Sequence, residues 1–588
     1  MAANDVPRAA NPWLRRCRRA LPLCADLRTL DRGGLIQDSV AGTITAILLI
    51  PQALAYALLG GLPPEVGLYA SIVPAMVYAL LGTSRTLAVG PVAVGGVMVA
   101  AALTPYAGGD PDKYLTGALI LSALTGVILL ALGVLRLGWL TAFISNPVLS
   151  GFTSGSAIFI VGTQLAALTG IRVAPDAGFA EVLATLAREL PNANPATTGF
   201  GLSAAILLVL ARGPLARAVA RLGMTPGSTA MLTRTAPLAV VVTTTVIATI
   251  TDAHTRWGVA SVGRIPAGLP GLRLDFLAQP GWLGLLPSAT LMALIAYVGS
   301  ISVAKALAFR RREKIDPDQE LRALGVANIA AACAGAMPVA GGLSRSIVNF
   351  DAGARTQLAA IVTACWVALA ALLFTGLLTD LPKAVLAAII VVAVWQLVDF
   401  KGVRDTWRYD PGDGAAEGAT LVGVLVFGIE LGLLVGVGLA LLLFLYRTSR
   451  PHIAVVGRIP GTEHFRNIHR HVVETWPGLL LVRVDENLYF ANTPRVESEL
   501  QNLVVDREGL RDLVLIFSGV AYIDASALEM LENFELGLAM AGIRLHLAEV
   551  KGPVLDRLHN STLLTRLGTE RIHLSTEQAV AALAGEPR

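Results

Sequence analysis

Gly90-Pro91-Val92-Ala93-Val94-Gly95-Gly96 and Met337-Pro338-Val339-Ala340-Gly341-Gly342 interrupt apolar runs with Pro and Gly in the same order, Pro91 and Pro338 standing 247 residues apart. Proline removes a backbone donor and glycine admits conformations closed to other residues, so each stretch breaks a helix in a region otherwise apolar enough for lipid. Such a pair in matching positions of two halves points to a transporter built from an inverted repeat, with its site at the breaks. The same spacing carries Gln52 onto Gly299.

Outward from these breaks, the apolar stretches are those expected of a membrane domain, whose hydrocarbon core of ~30 Å takes about 20 helical residues to cross. They run over 37–60, 66–82, 91–104, 115–135, 147–169, 197–212, 232–251, 282–307, 322–337, 342–353, 357–379, 383–399, 415–428 and 430–446. Fourteen spans divide into seven and seven. Arg85, Arg136, the Arg212 to Arg221 cluster, Arg310 to Lys314, Lys401 to Arg408, and Arg447 with Arg450 all follow even-numbered spans. By the positive-inside rule those connections and both termini face the cytoplasm.

The whole chain of 588 residues is 54% hydrophobic and 15% charged, with a mean hydropathy of +0.64. A purely soluble protein is excluded. From Pro451 onward, however, 31 of 138 residues are charged and seven of the eight histidines appear. That tail carries a net charge of −5 against +9 for what precedes it, so a water-soluble, mildly acidic domain follows a basic-flanked membrane domain. Its pattern predicts strands at 452–456, 479–484, 487–490, 513–517 and 543–548, and helices near 494–503, 526–540, 554–559 and 576–583. That alternation describes a small α/β domain.

Cys17, Cys24, Cys333 and Cys365 form no CxxC pair, so neither a disulfide framework nor a zinc site is expected. The basic start, Arg15, Arg16, Arg18 and Arg19, is followed by too short an apolar stretch for a cleavable signal peptide. The tail has no P-loop and no nucleophile elbow. The reading is therefore not an enzyme, with no cofactor, no metal and no nucleic-acid partner.

The stretches DSVAGTITAILLIPQALAYALLGG (38–61) and PPEVGLYASIVPAMVYALLGTSRTLAVGP (63–91) resemble the first spans of the SulP anion permeases, called solute-carrier family 26 in animals. The resemblance continues through NPVLSGF (146–152), SISVAKA (300–306), GLSRSIVN (342–349) and LPKAVLAAII (381–390), and the tail resembles the STAS domain of that family. What it implies is a multi-pass α-helical membrane protein of fourteen segments in a 7+7 inverted repeat, a core domain moving against a gate domain. The divisions expected are a cytoplasmic N-terminal segment (1–32), a transport domain (33–447) and a STAS-like cytoplasmic domain (452–588).

The third and tenth segments would each be a short strand followed by a half-helix. Two half-helix N-termini aimed at the midplane offer backbone N–H groups and positive dipole ends to an anion. Gly95, Gly96, Gly341 and Gly342 would let backbone approach that anion closely. Position by position, the resemblance makes Leu343, Ser344 and Arg345 part of the anion site, with Ser346 an equal candidate for the serine's role and Val92 the matching residue on the third segment. Gln52 and Tyr56, one helical turn apart, could line a cavity without introducing negative charge, and the resemblance implies that they face the substrate. Structural roles are the alternatives: an ion pair or snorkelling for Arg345, helix packing for Gln52. On the first reading, Arg345→Ala abolishes transport and leaves folding intact.

Gly299 departs from the family pattern, because many bacterial and plant relatives have an acidic residue there. Without a carboxylate to carry a coupled proton or bind sodium, exchange or uniport is expected in place of symport. Glu430 is the substitute carboxylate to weigh, against its being a solvated loop-end residue. In the tail, Asp524 is placed to cap a helix, and Ser526 resembles the serine phosphorylated in bacterial anti-sigma-factor antagonists of this fold.

The expected function is secondary active transport of inorganic or small organic anions, sulfate first, by a homodimer in the inner membrane. A bicarbonate or dicarboxylate transporter, an uncoupled anion channel and a membrane sensor are the alternatives. Partners would be the anion, the lipid bilayer, a second copy and a cytoplasmic regulator of the STAS-like domain.

Overall fold

The computed structural model describes residues 21–28, 30–139, 145–174, 177–212, 214 and 226–584. Cys17, the four arginines at 15 to 19, and Arg217 and Arg221 of the basic cluster lie outside them. The chain divides into two compact units, Met1–Ala440 and Leu441–Arg588.

Each of the fourteen apolar stretches coincides with a helix. In the first half these are α1 (Arg32–Leu59), α2 (Val73–Leu81), α3 (Ala93–Ala107), α4 (Pro111–Val134), α5 (Asn146–Thr169), α6 (Pro195–Arg212) and α7 (Pro226–Ile250). In the second they are α8 (Trp282–Arg311), α9 (Pro317–Cys333), α10 (Leu343–Asp351), α11 (Leu358–Leu373), α12 (Lys383–Val394), α13 (Pro411–Phe427) and α14 (Ile429–Thr448). Among the described residues seven helices are long and apolar enough to cross a membrane, or eight if the bent pair Phe179–Asn192 and Pro195–Ala211 is one span. Two of the seven, Pro64–Leu81 and Lys383–Tyr409, join α2 and α12 to a neighbouring short helix, and Ala93–Ala107 of α3 is a shorter apolar helix, as a half-helix must be.

Several starts are written in the sequence as Asp-Pro. Asp110, Asp316 and Asp410 each accept from two backbone N–H groups of the first turn, and the following proline fills the first helical position, where its missing donor costs nothing.

Helix contacts sort the membrane unit into two groups. α1 packs on α11, α4 on α8 and α9, and α2 on α9, while α5 packs on α12 and α13, and α6 on α7 and α12. The first group is the core and the second the gate. Glycines permit the close approaches: a Cβ on Gly126 of α4 would lie 2.7 Å from the Gly325 carbonyl of α9, and one on Gly151 of α5 would lie 2.2 Å from the Glu417 carbonyl of α13. Small residues take this role where lipid supplies no hydrophobic drive for helix association.

Two buried carboxylates tie the halves together. Glu320 on α9 accepts from the Tyr78 hydroxyl at 2.7 Å and from the Thr83 and Ser84 N–H groups. Asp38 on α1 accepts from the Arg355 and Thr356 N–H groups and the Thr356 hydroxyl. Each half thus supplies a buried acceptor that closes a connection of the other.

Between the halves, β1 (Val89–Gly90) pairs antiparallel with β2 (Ala340–Gly341), Val89 opposite Gly341 and Gly90 opposite Ala340. The repeat register differs from the one set by the Pro-Val-Ala match. From Arg32 to Trp282, the starts of α1 and α8, is 250 residues, and so is the distance between Ala93 and Leu343, the starts of α3 and α10. Pro91 therefore follows its strand whereas Pro338 precedes its own, and Gln52 corresponds to Ser302, not to Gly299.

The second unit is a six-stranded sheet in the order β4-β3-β5-β6-β7-β8: Phe465–Asn467, Ile453–Arg458, Leu479–Val484, Asp512–Ile516, Arg544–Ala548 and Ile572–His573. β5 to β8 run parallel, and β3 is antiparallel to both neighbours. Helices α15 (Thr493–Val505), α16 (Ala525–Met540), α17 (Gly552–Leu558), α18 (Thr562–Leu567) and α19 (Thr576–Leu583) complete it. The expected strand at 487–490 is instead a loop with a single bridge from Leu488 to Ile523. Asparagine side chains take the backbone groups that a ladder would have used: Asn492 Nδ2 donates to the Asn487 carbonyl, its Oδ1 accepts from Tyr489 N–H, and Asn487 Oδ1 accepts from Ala521 N–H.

Candidate functional site

The breaks that open the half-helices are held by side chains from elsewhere in the core. Ser346 Oγ accepts from Ala88 N–H at 2.9 Å, Asn349 donates to the Thr86 carbonyl and Gln357 to the Leu87 carbonyl, securing the approach to β1. Asn328 exchanges two hydrogen bonds with the backbone of Val339, and Ser300 Oγ accepts from Gly341 N–H at 2.8 Å, securing β2. Irregular backbone at membrane depth is tolerable because these groups satisfy it.

Neither half-helix has a side-chain cap: Val92 and Gly342 stand at the two N-caps in extended conformation. The first N–H groups of α3 and α10 therefore point unpaired toward a common space. That space is a cavity of about 390 Å³ walled by α1, α3, α8 and α10 of the core and by α5 and α12 of the gate. Gln52, Tyr56, Val92, Gly95, Gly299, Gly341, Gly342, Leu343, Ser344 and Arg345 all line it. Among the described residues no carboxylate does, and Arg345 is the one charged wall residue.

Arg345 is 2% exposed. Its guanidinium donates from Nε to the Ala88 carbonyl at 2.8 Å, from Nη1 to Pro91 at 2.6 Å and from Nη2 to Ala340 at 2.9 Å. Three of its five N–H groups are thus spent on the crossing strands, leaving two and the full charge. The expectation that Arg345→Ala spares the fold is corrected here, since the change would strip donors from three buried carbonyls.

The two serines separate. Ser344 is exposed to the cavity, whereas Ser346 is fully buried, absent from the wall and bonded to Ala88. Ser346 belongs to the scaffold. Gly96 also leaves the site: a Cβ there would meet the Tyr56 carbonyl at 2.7 Å, so it serves the α1–α3 contact. Gly341 lies within β2, where a Cβ would reach Leu87 at 2.7 Å. Gly299 is different, because a Cβ there would meet nothing within 4 Å. It opens directly on the cavity. Glu430 stands in the first turn of α14, outside the cavity wall.

Ser302 of α8 and Thr153 of α5 are polar wall residues that the sequence reading did not single out. Ser302 was reachable through the 250-residue register, which pairs it with Gln52 and pairs Ala306 with Tyr56; all four line the cavity. Thr153 comes from the gate, where no repeat pattern pointed to it.

In the second unit, Asp524 caps α16 by accepting from Ala527 N–H at 2.8 Å, and its other oxygen accepts from Phe490 N–H. Ser526 is exposed in the first turn of that helix. On the parallel strands, Asp512, His546 and His573 form a buried chain: His546 Nε2 lies 3.1 Å from Asp512, and its Nδ1 lies 3.2 Å from His573 Nε2. Arg544 pairs with the same Asp512 at 2.8 Å. Burial pushes both imidazoles below their ordinary value; for His546, Asp512 opposes that shift while His573 and Arg544 add to it.

Residues 35–416 match the Sulfate permease family and residues 470–579 match the STAS domain. A probable sulfate transporter of Mycobacterium tuberculosis is 33% identical over 570 residues, covering 95% of this chain and 97% of that protein. Probable sulfate transporter 4.2 of Arabidopsis thaliana is 34% identical over 554 residues, 92% of this chain and 80% of the relative. Among solved structures, murine solute carrier 26 family member A9, an anion transporter in the inward-facing state, superposes with a TM-score of 0.88 at 22% identity, over 99% of this chain and 96% of that one. The transmembrane domain of a cyanobacterium bicarbonate transporter, BicA, gives 0.57 at 23%, over 70% of this chain and 98% of that one.

Proposed function

The chain belongs to the sulfate permease family, and from that premise we propose that it carries small anions, sulfate first among them, across a membrane by alternating access. The observation that carries this reading is the cavity between two uncapped half-helix N-termini, with one cationic and no acidic wall residue among the described residues. Such a site stabilises negative charge without an equal buried counter-charge, so the carrier is not trapped in its empty form. The N–H groups of Ala93 to Gly95 and Leu343 to Arg345 face the anion, Ser344 donates its hydroxyl, and Arg345 supplies field while fixing the strand crossing. Gln52, Tyr56 and Val92 shape the core side. Thr153 and Phe152 contribute the gate side, so sliding core against gate changes which face of the membrane the cavity meets.

Gly299 favours exchange or uniport over proton or sodium symport. The basic connections favour a topology with both termini in the cytoplasm, and the membrane proposed is the inner membrane. A homodimer in which the STAS domain takes part, a cytoplasmic regulator of that domain and phosphorylation at Ser526 complete the proposal. The test is uptake of labelled sulfate into proteoliposomes of the purified protein, with bicarbonate, chloride, nitrate, oxalate and C4-dicarboxylates as competitors. Saturable, competable uptake supports transport. Conductance without saturation or counterflow would identify a channel, and binding without flux a sensor.

A further inference from the structure

A short helix, Phe400–Tyr409, joins α12 to α13, and its sequence FKGVRDTWRY sorts into stripes. At 3.6 residues per turn, Phe400, Val403 and Trp407 fall on one line, and Lys401, Arg404 and Arg408 on the line beside it. Asp405, the helix's one acidic residue, lies beyond the basic line, away from the aromatic one. No residue of this helix is buried: Phe400 is 61% exposed and Trp407 55%, although both are large and apolar. Trp395, just after α12, is 54% exposed. Lys401, Arg404 and Arg408 have neither an ion pair nor a side-chain hydrogen bond among the described residues.

The helix is nevertheless well formed. Asp399 caps it, accepting from Gly402 N–H at 2.7 Å, and Trp407 abuts Gly414 of α13 with its backbone and one edge of its ring, where a Cβ would lie 2.6 Å from the Trp407 Cα and 2.8 Å from its Cε3, the rest of the ring staying exposed. Phe400–Tyr409 is the charged end of the membrane-length stretch Lys383–Tyr409, and the chain leaves it into α13, so it cannot stand far from the bilayer surface. Three unpaired cations beside an aromatic stripe match the chemistry of that surface, where aromatic rings sit at headgroup level and basic side chains meet lipid phosphate.

We infer that Phe400–Tyr409 is an anionic-lipid docking helix: Phe400, Val403 and Trp407 enter the headgroup boundary of the cytoplasmic leaflet, and Lys401, Arg404 and Arg408 hold the phosphates of acidic phospholipids. The inference rests on α12 and α13 spanning the membrane and does not depend on which anion is carried. Because α12 walls the cavity and α13 packs on α5, the docking would hold the gate at a fixed height in the bilayer.

Lipid binding, read without transport, tests it. The full-length protein in mild detergent is titrated with phosphatidylglycerol or phosphatidylcholine, and retained lipids are counted by native mass spectrometry. Wild type should retain phosphatidylglycerol preferentially, and the Lys401→Gln, Arg404→Gln, Arg408→Gln triple variant should weaken that retention on the order of tenfold or more. Equal retention by the two proteins overturns the proposal. A spin label at Trp407→Cys, in a background lacking the native cysteines and reconstituted in vesicles, should collide with oxygen more than with a water-soluble nickel chelate. A label reached by neither means that protein covers the stripe, and one reached chiefly by the chelate means that water does; either result overturns the docking. Normal uptake with failed lipid selectivity would refute this helix's role alone, and selectivity without uptake would refute only the transport reading.

Discussion

Arg345 on α10 donates from Nη1 to the carbonyl of Pro91, 254 residues earlier and at the end of β1, at 2.6 Å. The cation of the cavity wall is therefore also the clamp that crosses the two strands. Charge and scaffold are the same side chain, which separates the effects of two substitutions. Arg345→Ala takes a donor from three buried carbonyls; Ala88 keeps its bond from Gly342 N–H, and a carbonyl left with no donor costs about 1 to 3 kcal/mol. Arg345→Lys keeps the charge but cannot reproduce the fork. The alanine variant should unfold at markedly lower temperature and show no uptake, with the lysine variant between it and wild type in thermal unfolding. An alanine variant as heat-stable as wild type would show that the clamp contributes nothing.

The two serines of the same turn should behave oppositely. Ser344→Ala removes a hydroxyl from the cavity wall, so it should weaken sulfate affinity several-fold and leave thermal stability unchanged. Ser346→Ala orphans the Ala88 N–H, which lies away from water, and should cost about 1 to 3 kcal/mol of stability with affinity retained in the protein that folds. Isothermal titration with sulfate and a thermal melt on each variant decide the matter. A reversed pattern would move Ser346 back into the site.

Gly96 reports on the approach of α1 to α3. The added methyl of Gly96→Ala would sit 2.7 Å from the Tyr56 carbonyl, so the helices must part, at a cost of about 1 to 3 kcal/mol for overpacking. Because Gly95 next to it lines the cavity, affinity should fall together with stability. A thermal melt paired with a binding titration checks both.

What the sequence made legible follows the range of the forces involved. The fourteen membrane segments could be read because apolar length is a local property, and Asp110, Asp316 and Asp410 announced their helices through a proline one residue on. The partners of Glu320, Asp38 and Arg345 could not be, because each side chain satisfies backbone more than 230 residues away. The loop at 487–490 was misread for a related reason. Its apolar pattern suited a strand, but Asn487 and Asn492 offered the backbone a competing set of bonds. Ser344 and Ser346 look alike in sequence, and only the direction of the first turn of α10 tells them apart.

In the STAS domain the buried His546 and His573 set a pH limit. Burial holds both imidazoles below the ordinary 6.5, so the folded domain keeps them neutral while the unfolded chain takes up protons as pH falls through that value. Their contribution to stability is complete above pH 6.5 and is lost progressively below it. Amide hydrogen exchange of the full-length protein should show β7 and β8 losing protection between pH 7.5 and 5.5, with a smaller change in His573→Phe. Protection that rises on acidification would reverse the sign and sink the argument.

Gly299 is where the coupling of transport can be rewritten. A Cβ there meets open space, so Gly299→Glu needs no rearrangement of α8, and its carboxyl would project into the same cavity as the uncapped N-termini of α3 and α10. When ionised, that carboxylate repels the anion and competes for the helix ends; when protonated, it does neither. The variant should therefore bind sulfate weakly at neutral pH and recover as the pH falls, and an inward proton gradient should accelerate its uptake. Wild type, whose cavity wall has no carboxylate among the described residues, should respond to a counter-anion and not to the gradient. Proteoliposome uptake with and without an imposed pH difference measures both proteins side by side. If wild type is strongly driven by protons without internal anion, the coupling carboxylate lies elsewhere. Glu430 and the fully buried Glu417 are then the residues to replace by glutamine.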